Sequence, residues 1–152
     1  MGSMCVSLPV KNLKASVAFF AHLGFAVSPE RSDDQMACLV IDRNARVYLL
    51  SAERFWDCVN GEIGHEGSAG EVLTCVSVET ADEVDAVLAR ALAAGARPWP
   101  LRPRHPAYSA SFQDPDGHLW EIIAVPPEPG AKPARPGTID LRAALPRQPV
   151  PA

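Results

Sequence analysis

The feature that most constrains this chain is a pattern of apolar run, helix cap and helix that occurs twice. Val10-Lys11-Asn12 and Val78-Glu79-Thr80 stand 68 residues apart, and each closes an apolar run and opens a helical one. Asn and Thr are favoured N-caps because their side chains accept a hydrogen bond from a free N–H of the first turn. Gly24 and Gly95 follow the two helical runs, where a left-handed residue ends a helix at least cost. Three extended segments come after each helix, at 25–28, 35–42 and 46–51 in the first half and at 97–101, 108–113 and 118–125 in the second. The order is βαβββ twice, an α+β chain of two tandem modules spanning 4–51 and 71–125. Each half is too small to bury its own sheet, so the pair is expected to pack around a shared concave surface as one domain, 4–125.

The remaining segments are a bridge, 52–70, and a tail, 126–152. In the bridge, Phe55, Trp56, Val59 and Ile63 predict a short amphipathic helix. The tail holds Pro126, Pro127, Pro129, Pro133 and Pro136, a composition that reads as extended chain. Val17, Phe20, Ala21 and Leu23 are the expected buried stripe of the first helix.

Asp114-Pro115-Asp116-Gly117 lies between apolar runs and has the chemistry of a tight turn, so 108–125 reads as a hairpin. Period-two geometry then puts Leu119, Glu121 and Ile123 on one face and His118, Trp120 and Ile122 on the other. A carboxylate among apolar strand neighbours is costly unless it is paired, bound to a metal or facing a cavity. Glu121 is therefore the first candidate site residue.

A formal charge of −4 and a pI near 5.5 argue against nucleic acid as a partner, which would require a basic face. No apolar run approaches a membrane span, and no signal peptide is evident. Cys5, Cys38, Cys58 and Cys75 show no CxxC spacing and read as reduced thiols, so the expected location is the cytoplasm.

Two separated motifs carry a resemblance to a known family. Leu8-Pro-Val-Lys-Asn-Leu13 with Ser16-Val-Ala-Phe-Phe20 and Leu23-Gly-Phe25 is one, and Ser111-Phe-Gln-Asp-Pro-Asp-Gly-His-Leu-Trp-Glu-Ile122 is the other. In this order, over 4–125, the chain resembles the vicinal oxygen chelate superfamily of glyoxalases, bleomycin resistance proteins and extradiol dioxygenases. The resemblance implies a ligand cavity and, in chelating members, a divalent metal held from four equivalent strand positions. Carried over by position, these are Cys5, Leu49, Leu73 and Glu121. Two leucines supply no donor, and a slip of one residue brings Tyr48, Leu50, Val72 or Thr74, which are poor ligands too. The expectation is thus no metal cofactor, a divalent metal being the alternative.

If Cys5 and Leu73 face the cavity, alternation also presents Ser7, Cys75 and Ser77 there. Phe55, Trp56, Trp99 and Tyr108 are candidate walls, while Phe112 and Trp120 read as core. Arg102 is a candidate receiver of an anionic group. Of the histidines, all four read as surface residues, and only His105, ahead of the strand that pairs with the Glu121 strand, is placed to reach the cavity mouth. Three functions remain open. One is a metal-free binding protein that sequesters a bulky aromatic or polycyclic compound, as antibiotic-resistance members do. Another is a glyoxalase-like lyase or isomerase, metal-dependent or using Glu121 as general base. The third is a structural or regulatory role without a ligand. The resemblance also implies a homodimer.

Overall fold

A computed structural model describes residues 2–59, 72–100 and 107–126. The first module comprises β1 (Met4–Val10), α1 (Leu13–Leu23), β2 (Ala26–Ser28), β3 (Met36–Asp42) and β4 (Ala45–Ser51). After α2 (Ala52–Cys58) the second repeats the order with β5 (Leu73–Val78), α3 (Ala81–Ala93), β6 (Arg97–Pro98), β7 (Ser109–Gln113) and β8 (Leu119–Ala124). Each module makes its own four-stranded sheet, in the orders β1-β4-β3-β2 and β5-β8-β7-β6. The first strand of each runs parallel to the last and forms a sheet edge.

The predicted caps form. Asn12 accepts from Ala15 N, and Thr80 accepts from Glu83 N while Glu83 returns to the cap backbone. That reciprocal pairing satisfies donors that would otherwise be stranded at the helix start. Gly24 ends α1 with φ 102°, and Gly95 follows α3 with φ 101°.

The buried positions of α1 are Ser16, Phe19, Phe20 and Leu23, a stripe at helical spacing. Ala21, expected inside, is exposed, and Phe19 takes the inward position instead. The shift has a clear cause: α1 meets the second module as well as its own sheet. Phe19 packs edge-on to Phe112, and Phe20 lies 4.9 Å from Trp120 between ring centroids. Phe25 also abuts Trp120, so two aromatics of the first module clasp one indole of the second. One apolar core therefore spans both halves, with Leu8, Val10, Val47 and Leu49 from one sheet and Val76, Val78, Ile122 and Ala124 from the other.

The Asp114–Gly117 turn locks the halves together. Gly117 adopts φ 96°, and its N–H donates to Asp114 O. Asp114 is buried, and its Oδ1 accepts from the backbone N–H groups of Asp116 and His118. Its Oδ2 accepts from the wholly buried Trp120 Nε1 at 3.0 Å. Burial pushes the Asp114 carboxyl above its ordinary value, against the opposing pull of His118 and the Trp120 N–H. Asp116 reaches the other module, accepting from Lys11 N at 2.8 Å and from the Ser16 hydroxyl at 2.7 Å. His118, expected on the surface, is half-buried at this joint, with Nε2 2.7 Å from the Pro9 carbonyl. A carbonyl only accepts, so the proton sits on Nε2.

Candidate functional site

Helices α1 and α3 contribute to the common core, so each sheet has one face against that core and one turned away from it. Strand alternation and register assign every side chain to a face. In the second sheet, Val76, Val78, Ile122, Phe112 and Trp120 point into the core, which leaves Leu73, Cys75 and Ser77 of β5 on the open face. Their register partners Leu119, Glu121 and Ile123 share that face, as do Gln113, Ser111 and Ser109 of β7. Glu121 therefore sits mid-sheet, between Cys75 and Ser111, on the predicted side.

Its surroundings explain how a carboxylate is tolerated in an apolar strand. Glu121 is only 4% exposed, and the Ser109 hydroxyl donates to its Oε1 at 3.2 Å. The neighbouring Ser111 hydroxyl turns instead to the Trp99 carbonyl at 2.6 Å, fixing the backbone of a half-open indole. Cys75 and Ser77 at the β5 edge of this face are exposed, whereas Leu119 and Glu121 of β8 are buried.

In the first sheet Val6, Leu8 and Val10 pair with Val47, Leu49 and Ser51, and Leu8, Val10, Val47 and Leu49 are core. Cys5, Ser7 and Pro9 lie on the open face beside Arg46, Tyr48 and Leu50. Leu49 is thus misplaced in the sequence reading: it is 0% exposed inside the core. The residue that matches Glu121 across the repeat is Tyr48, because Ser7 pairs with Tyr48 as Cys75 pairs with Glu121. The alternation Arg46-Val47-Tyr48-Leu49 was the signal that separates the two.

Tyr108 is a second correction. It alternates with Ser109, so it lies on the helix side, where its hydroxyl donates to Asp85 Oδ1 of α3 at 2.7 Å. That carboxylate holds the Tyr108 phenol above its ordinary value. Among the other wall candidates, Phe55 is half-buried and Trp56 is 50% exposed, both on α2, which packs against β1 and β4. Arg102 and His105 lie outside the described residues, as do His65, Ile63 and the tail from Pro127.

The donor set can be tested against a divalent metal. The equivalent positions offer one carboxylate beside a thiol in one sheet and a phenol beside a hydroxyl in the other. A zinc, nickel or manganese centre draws on three or four nitrogen, oxygen or sulfur ligands. Among the described residues no group of three or more His, Cys, Asp or Glu is placed to hold one. These residues do not fit such a centre.

Comparison with known proteins agrees with this architecture. A hypothetical protein from S. aureus is 27% identical, with 82% of this chain and 94% of that one covered at a TM-score of 0.68. A glyoxalase/bleomycin resistance protein/dioxygenase family enzyme from Burkholderia phytofirmans PsJN superimposes at TM-score 0.70 with 21% identity, over 82% of this chain and 99% of that one. A fosfomycin resistance protein from Listeria monocytogenes shares the fold at TM-score 0.59 and 21% identity, covering 85% and 94%. No curated protein sequence matches the chain. The family model of the Glyoxalase/Bleomycin resistance protein/Dioxygenase superfamily matches residues 4–122. With the repeated βαβββ modules and that match together, the chain belongs to the glyoxalase/bleomycin resistance protein/dioxygenase superfamily.

Proposed function

We propose that this chain is a small-molecule-binding protein that captures a bulky aromatic or polycyclic compound without a metal ion, in the manner of resistance by sequestration. One observation carries the reading: the four positions that would chelate a metal hold Cys5, Tyr48 and Leu73, with Glu121 the one carboxylate. Open faces floored by small residues and edged by Trp99 favour a flat apolar guest, oriented by a few polar groups. Two sheets with free edges at β1 and β5, where Met4 and Val72 are 71% and 57% exposed, favour completion of the site by a second copy of the chain. Among the described residues no helix is long and apolar enough to cross a membrane.

A thermal-shift panel of planar polycyclic antibiotics and aromatic acids tests the reading, run on wild type and Glu121→Gln. The amide keeps an acceptor for the Ser109 hydroxyl, so the fold is expected to survive. At least one compound should raise the melting temperature of the wild type, with a smaller shift in the variant. Absence of any shift, together with stoichiometric nickel, zinc, iron or manganese in protein purified without chelator, would contradict it.

A second reading has one observation in its favour. Glu121 is buried and oriented by Ser109, as a general base must be. On that reading Glu121→Gln retains binding and loses turnover of a lyase or isomerase substrate.

A further inference from the structure

The open face of the first sheet carries side chains that neither module's core uses. Cys5 pairs with Arg46 in register and Ser7 with Tyr48, so the four stand in two adjacent rows across β1 and β4. Strand geometry sets the rows about 6–7 Å apart and the strands about 5 Å apart, the span of one small polar group with its substituent. The rest of the face is apolar or small: Met36, Cys38 and Val40 of β3 lie beside Leu50, Tyr48 and Arg46, and Ala26 and Ser28 of β2 lie beyond. Leu50 is buried yet lies outside the main core cluster, so the α2 end of this face is sheltered, while Cys5 and Ser7 are exposed.

The charge pattern of this face is one-sided. Arg46 is the one charged position that regular register assigns to it among β1, β2, β3 and β4, with Asp42 beyond the bulge at the rim, opposite Ala45. Among the described residues the Arg46 guanidinium has a single recorded partner, the Arg43 carbonyl at 3.3 Å, which leaves most of its donors uncommitted. The second sheet has the opposite character, with Glu121 at its centre.

We infer that the Ser7–Tyr48–Arg46 surface is a recognition site for an oxyanion, a carboxylate or phosphonate carried on an apolar body. The guanidinium supplies a charge-assisted fork and the two hydroxyls supply flanking donors. Met36 and Val40 of β3, partly exposed on either side of the buried Cys38, receive the body. This deepens the proposed small-molecule reading and rests on it, because it names the chemistry of one end of the guest.

The test is an NMR titration of the full chain with phenylphosphonate and, separately, with benzyl alcohol, which has a similar ring without the charge. Phenylphosphonate should shift backbone amides of 5–8 and 45–50, with those of 119–123 unmoved. Arg46→Gln should weaken it roughly tenfold, in keeping with loss of one charge-assisted contact. Tyr48→Phe, which changes one oxygen atom and spares the fold, should weaken it several-fold and guards against misfolding of the first variant. Equal binding of both probes, indifferent to Arg46→Gln, would overturn the oxyanion assignment while leaving the small-molecule reading intact. Binding of neither probe at millimolar concentration would overturn the inference and weigh against the reading beneath it.

Discussion

Replacing Asp114 with Ala tests the joint that holds the two modules in register. The carboxylate accepts three hydrogen bonds, two from turn N–H groups and one from the Trp120 indole. The turn amides lie near the surface and can turn to water, so their loss costs about 1 kcal/mol each. The indole N–H is wholly buried and would be stranded, at about 2 kcal/mol. Relief from burying a charge returns part of this, since burial already pushes the Asp114 carboxyl upward. The net expectation is about 3 kcal/mol of lost stability, or a fall in Tm of roughly 6–12 °C for a chain of this size. Asp114→Asn keeps one oxygen for the turn but faces the indole with an amide donor, and should cost about half as much.

The pH dependence has a definite sign. A folded-state pKa above the unfolded value means that folding takes up a proton. That contribution is fully present below the unfolded value near 4 and is lost as pH rises through the raised folded value. The gap between wild type and Asp114→Ala, read from urea midpoints, should therefore widen as pH falls from 7 towards 4. A gap that narrows, or an Asp114→Ala variant within 0.5 kcal/mol of wild type on the scale of typical surface changes, would refute the reasoning.

Asp116→Ala removes the acceptor of Lys11 N and the Ser16 hydroxyl and should cost about 1–3 kcal/mol in chemical denaturation, with the first module losing amide protection first. Gly117→Ala meets Gln113 Nε2 only at 3.7 Å, so its cost is the left-handed backbone alone, about 1–2 kcal/mol by thermal melt. Arg90, on α3, has its guanidinium nitrogens buried without an acceptor among the described residues; Arg90→Met should leave Tm unchanged or raise it. In a Tyr48→Phe background the remaining tyrosine, Tyr108, should ionise above the usual phenol range by ultraviolet titration, and Asp85→Asn should bring it back down.

The repeat, both N-caps, both glycine helix ends and the Asp114–Gly117 turn were legible because each depends on local backbone chemistry. The face of Glu121 was legible for the same reason, since alternation within one strand needs no partner. Leu49 was misassigned because β4 holds Tyr48-Leu49-Leu50, where two adjacent leucines blur the period. The parallel pairing to β1, which settles the face, is a non-local fact. Tyr108 reads as a wall aromatic until α3 brings Asp85 beneath it. Phe19 and His118 were missed because their burial comes from the other module, whose docking no window of sequence contains. Arg46 carried a local signal in the alternation of β4, but its meaning depends on which residues of β1 and β3 stand beside it.

The central claim is that a small molecule is held without a metal, and one measurement addresses it directly. The compound with the largest thermal shift is titrated calorimetrically into the protein before and after exhaustive dialysis against a chelator, with metal content determined on the same samples. The account predicts the same affinity in both states. Affinity that disappears on chelation and returns with manganese(II) would contradict it.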